Sequence, residues 1–95
     1  MTDGEINEVV TRILRDRLNQ FGFAGSQVRS ELDFDGTPII RVTGRYENGR
    51  IPTDKYIDSL EAIRTELIDR GEDRFVFLDS EYPRELVQGD DDEED

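Results

Sequence analysis

Apolar residues in this chain change their spacing along its length, and that rhythm restricts the fold more than any other feature of the 95 residues. Ile6, Val9, Val10, Ile13, Leu14, Leu18 and Phe21 follow one another at three- and four-residue steps, which places them on one face of a helix. Thr2 and Glu5 precede them at the spacing of a capping box, and Gly22 stands where a left-handed C-cap falls. A helix over 2–21 is expected. From Val28 the period becomes two: Val28, Ser30, Leu32 and Phe34 alternate with Arg29, Glu31, Asp33 and Asp35, as in a half-buried strand. After Gly36, Thr37 and Pro38, a second alternating run carries Ile40, Val42, Gly44 and Tyr46 on one side and Ile39, Arg41, Thr43 and Arg45 on the other.

Both apolar sets must share a face if one layer of helices is to cover the sheet, so the hairpin loop needs an odd number of residues. The shortest choice, 36–38, pairs Phe34 with Ile40, Leu32 with Val42 and Val28 with Tyr46, and sets Asp33 opposite Arg41. Asn48, Gly49 and Pro52 end the second strand. Thr53 or Asp54 then caps a helix through Arg70, closed by Gly71, with Tyr56, Ile57, Leu60, Ile63, Leu67 and Ile68 as its apolar stripe. The run Arg74–Leu78 reads as a third strand, apolar on both faces and therefore central or covered. The expected fold is α+β: an αββαβ two-layer sandwich with a three-stranded mixed sheet, strands two and three parallel, and both helices on one face. Residues 1–88 form one small domain, and 89–95, with six consecutive acids, are expected to be a disordered acidic tail.

Composition narrows the chemistry. With no His and no Cys, thiol nucleophiles, Ser–His–Asp triads, disulfides and Cys/His zinc sites are excluded. The net charge of -12 repels phosphate backbones and anionic membranes, so no direct nucleic-acid or membrane partner is expected. No run of about 20 apolar residues is present for a membrane span, and the N-terminus lacks the positive flank of a signal peptide, which points to a cytoplasmic protein. Eleven of the twelve basic residues are Arg, Lys55 being the exception, and acids outnumber bases twofold. Short carboxylates hold water in concentrated salt, whereas the long lysine stem is salted out. The composition resembles that of proteins from salt-accumulating halophiles, a resemblance of habitat rather than of family.

Short motifs add little. Gly22-x-x-Gly25 has the spacing of an RNA-clamping loop, but that loop joins two helices, whereas here a strand follows and the net charge has the wrong sign. Asp33-x-Asp35-Gly36 has the start of a calcium loop without its later ligands, and a hairpin turn accounts for it. No catalytic residue, metal or cofactor is assigned. The outer sheet face is the better lead: Arg29, Ile39, Arg41, Thr43 and Arg45, with Val76 and Leu78 expected to add apolar area, form a candidate interface for a protein partner or a homodimer. The competing expectation is that 79–87, with Tyr82, Leu86 and Val87, folds back over that face. The function expected is that of a non-enzymatic interaction or self-associating module adapted to high salt. An acidic nucleic-acid mimic, built on Glu31, Asp33, Asp35 and the tail, is the alternative, and a carboxylate-based enzyme a minor one.

Overall fold

A computed structural model describes residues 1–83. Helix α1 spans Asp3–Leu18, followed by a 3-10 turn at Asn19–Phe21; strands β1 (Phe23–Leu32) and β2 (Pro38–Tyr46) precede helix α2 (Thr53–Asp69) and strand β3 (Phe75–Glu81). The sheet order is β1-β2-β3, with β1 antiparallel and β3 parallel to β2. The α+β fold, its element order and the parallel second pair are those the sequence predicts. The expected tail at 89–95, and Leu86 and Val87, lie outside the described residues.

Helix α1 begins with the capping box: Thr2 Oγ1 accepts from the Glu5 amide at 3.1 Å and Glu5 Oε1 accepts from the Thr2 amide at 2.8 Å. Each carboxylate or hydroxyl oxygen satisfies an amide that the first turn leaves without an intrahelical partner. Helix α2 starts differently. Its N-cap is Pro52, with no side-chain cap, so neither Thr53 nor Asp54 plays the expected part. Pro52 has no amide hydrogen to lose, and its extended backbone (φ -60°, ψ 151°) is the conformation an N-cap residue takes.

One core joins Ile6, Val9, Val10, Leu14 and Leu18 of α1 and Ile63 and Leu67 of α2 with Ile40, Val42, Tyr46, Val76 and Leu78 of the sheet. These strand residues all belong to the same alternating set, consistent with both helices covering one face. The α2 stripe is narrower than its sequence suggests. Ile57 and Ile68 are exposed, while Ser59 is fully buried beside Ile63 and Leu67. The Ser59 hydroxyl has no hydrogen-bond partner among the described residues. Ser59→Ala removes that buried polar atom and improves helix propensity, so the melting temperature is expected to rise by about 4–8 °C, corresponding to about 1 kcal/mol. A fall on thermal denaturation would show that the hydroxyl is satisfied in solution.

The hairpin register departs from expectation by four residues along the partner strand. Val28 pairs with Val42, Ser30 with Ile40 and Leu32 with Pro38, and Arg29 rather than Asp33 lies opposite Arg41. The cause is the turn. Asp33 Oδ1 accepts from the amides of Asp35 (2.8 Å) and Thr37 (3.0 Å), and the Asp33 amide donates to the Thr37 carbonyl at 2.9 Å. This aspartate-closed loop occupies five positions, 33–37, where three had been the minimum. Five is also odd, so the faces are those expected. Pro38 sits opposite Leu32, at a position where the ladder asks for no donor from it.

Candidate interaction surface

Every second residue of the sheet points away from the helices, and the register aligns these residues in rows: Glu31, Ile39 and Phe75; then Arg29, Arg41 and Phe77; then Gln27, Thr43 and Asp79. Arg41 is at the centre. Its Nε donates to Glu31 Oε1 at 3.0 Å and its Nη1 to Asp79 Oδ2 at 3.0 Å, so one guanidinium links all three strands. The hydrogen bond to Glu31, then that to Asp79, holds the Arg41 pKa above its ordinary value. The same guanidinium lies over the Phe77 ring, 5.3 Å from its centroid, and Arg29 Nε stands 3.7 Å from Glu31 Oε2.

Of the residues assigned to this surface from sequence, Arg29 and Arg45 are exposed on it, and Arg41 and Thr43 are half-buried within it. The apolar members are placed differently. Val76 and Leu78 pair with Ile40 and Val42 and belong to the core, so they give no outward apolar area. Ile39 faces outward by register but is buried, between Glu31 and Phe75. The outward apolar residues of β3 are Phe75 and Phe77, 48% and 38% exposed, their rings edge to face with centroids 5.0 Å apart. Strand β3 is thus apolar on both faces as expected, but with the opposite phase and at the sheet edge. An FVFLD run does not reveal its phase, because either alternate set satisfies a core. Tyr82 packs against the helix-covered core and lies 6.2 Å from the Tyr46 ring, centroid to centroid, so it does not fold over the outer face.

The edge of β3 is partly occupied by α2. The Tyr56 hydroxyl donates to the Leu78 carbonyl at 2.9 Å, and the Arg64 guanidinium reaches past the strand to lie 4.7 Å from the Phe75 centroid. Elsewhere, a groove of about 680 Å³ between α1 and α2 is spanned by the Arg17–Asp58 pair and by Arg12 and Glu66, 3.6 Å apart. Arg70, then Arg12, lowers the Glu66 pKa. Among the described residues no group of three acids is arranged to hold a metal ion, and no helix is long and apolar enough to cross a membrane. No family model matches the sequence, no curated protein matches it, and no solved structure matches its fold.

Proposed function

We propose that this protein is a non-enzymatic interaction module for a salt-rich cytoplasm, docking a protein partner or a second copy through the outer face of its sheet. The exposed Phe75–Phe77 pair carries this reading. Two aromatic rings outward on one strand give a compact anchor of the kind that dominates protein contacts. Around them Arg41, Glu31 and Asp79 are already mutually paired, so a partner meets a surface whose charges are largely satisfied. At molar salt the Debye length is about 3 Å, which leaves little long-range attraction between charges, while salting-out ions strengthen apolar contact. An aromatic anchor suits that solvent.

The two other readings find less support. Glu31 is held by Arg41, and the Asp33 carboxylate closes its own turn, so the acids of this hairpin do not form a free row of phosphate-like charges. Glu66 and Glu72 both have lowered pKa values, the reverse of what a general acid requires.

Phe75→Ser combined with Phe77→Ser tests the reading. Both side chains are substantially exposed, so circular dichroism is expected to show an unchanged fold. Association measured by light scattering, and partner retention measured by cross-linking in cell extract at molar salt, are expected to be lost. A wild-type chain that is strictly monomeric and retains no partner would remove the proposal.

A further inference from the structure

The outer face leaves unexplained the two most exposed large apolar residues of the described chain, Leu32 at 68% and Phe34 at 97%. Leu32 belongs to the core-facing set of β1 with Val28 and Ser30, yet it has no helix over it. The side-chain contacts of α1 show why. Asn7 Oδ1 and Thr11 Oγ1 meet Ser26 Oγ at 2.8 and 2.9 Å, and Asp3 Oδ1 accepts from Ser30 Oγ at 2.6 Å. Helix α1 therefore runs antiparallel to β1 and begins beside Ser30, so the strand continues past the helix's first turn. Beyond that point the hairpin is a sheet without a covering layer.

Among the described residues strand β1 is also a sheet edge, paired only with β2. Because the Asp33 amide bonds across the hairpin to Thr37, the odd-numbered residues Glu31 and Arg29 direct their backbone groups to β2, and Val28, Ser30 and Leu32 direct theirs outward. We propose that two copies of this chain pair antiparallel along β1, with Ser30 opposite Ser30 on the two-fold axis, making a continuous six-stranded sheet.

Charge selects this register. Centring on Ser30 sets Arg29 of each copy opposite Glu31 of the other, twice over, on the outer face and at non-hydrogen-bonded positions where side chains approach most closely. A shift of the axis by one residue in either direction opposes Arg29 to Arg29 or Glu31 to Glu31, which is unfavourable. In the selected register Leu32 lies opposite Val28 of the second copy, a residue packed against the core beneath that copy's α1. Phe34 is carried toward the Ser26 end of that strand, beside the same helix. The bare end of each hairpin is thus roofed by the other copy's helix. The β3 edge offers no comparable arrangement, since Tyr56 and Arg64 already lie across it.

Leu32 and the backbone edge of β1 carry this pairing, whereas Phe75 and Phe77 carry the outer-face reading, so the two fail separately although Arg29 and Glu31 lie on that face. Sedimentation equilibrium of the full chain is expected to give a dimer. Leu32→Asp, at a position exposed in the single copy, is expected to give a monomer with unchanged circular dichroism. At the lowest salt that keeps the fold, Arg29→Glu is expected to weaken the dimer at least tenfold. Mixing it with Glu31→Arg is expected to restore association as a heterodimer, because each 29–31 contact then joins opposite charges. In hydrogen exchange, the amides of Val28, Ser30 and Leu32 are expected to slow as concentration rises. A monomeric wild type overturns the pairing. So does a dimer indifferent to Leu32→Asp and Arg29→Glu; if that dimer were lost on Phe75→Ser with Phe77→Ser, the contact would belong to the outer face instead.

Discussion

Gly44→Ala is expected to cost about 3 kcal/mol and to lower the melting temperature by roughly 12–24 °C, near the upper end of what one methyl group does to a small domain. The reason is the position of Tyr46. Its side chain lies back along β2 across the backbone at Gly44, so that a Cβ there would collide with the Tyr46 Oη and fall 2.9 Å from Cζ and 3.2 Å from Cε2. An exposed tyrosine would swing aside at little cost. Tyr46 is fully buried and neighboured by the rings of Phe23 and Tyr82, at centroid distances of 5.8 and 6.2 Å, so its displacement disturbs the core. The glycine is needed here for space, not for its backbone freedom.

The same geometry gives the change a partner. The Tyr46 hydroxyl is buried without a hydrogen-bond partner among the described residues, and burial raises its pKa. Tyr46→Phe alone is therefore expected to be neutral or slightly stabilising. Combined with Gly44→Ala, it removes the closest clash and is expected to recover at least about 1 kcal/mol of the loss. Denaturant unfolding of the two single variants and the double checks this. Strict additivity, or a cost below about 0.5 kcal/mol for Gly44→Ala, would show that the ring moves freely.

The alternation that places Tyr46 inside is legible in the sequence; the clash it makes with any side chain at 44 is not. Period alone separates Ile40, Val42 and Tyr46 from Arg41, Thr43 and Arg45, because charged side chains cannot occupy the covered face without partners. It fails for β3, where both alternate sets are apolar and only the pairing with β2 settles that Val76 and Leu78 turn inward. It fails again at the hairpin, where parity fixes the faces but the length of the turn depends on one carboxylate, Asp33, bonding the amides of Asp35 and Thr37. The outer arginines of the candidate surface were readable for the first reason. Phe75 and Phe77 are hidden by the second and Phe34 by the third, while Leu32 is exposed because α1 begins beside Ser30. Nothing in the FVFLD run itself sets the β3 phase.

Glu72→Gln is expected to destabilise the protein by about 2–3 kcal/mol at neutral pH, and this difference is expected to disappear in acid. Glu72 follows α2, and its side chain is only 8% exposed, a rare situation for a carboxylate. Arg74 makes it tolerable. Arg74 Nε donates to Glu72 Oε2 at 2.8 Å and Nη2 to Oε1 at 3.2 Å, a two-point contact, while Nη1 continues to Ser30 Oγ at 3.0 Å and ties the end of β1 to the start of β3. The Arg74 side-chain hydrogen bond is the largest cause that lowers the Glu72 pKa from 4.5 to about 2. A carboxyl whose pKa is depressed on folding stabilises the native state fully above its unfolded value. That contribution declines as pH falls from about 4.5 and is gone once the folded group protonates near 2. Protonation of the many other carboxylates also relieves self-repulsion in this acidic chain, and it acts on both proteins alike. The difference between wild type and Glu72→Gln, measured by denaturant unfolding at successive pH values, therefore isolates the one group. It should be constant above pH 5 or so and shrink steadily below. A difference that persists unchanged to pH 2, or that grows on acidification, would mean that the Arg74 contact is not what holds this carboxylate in place.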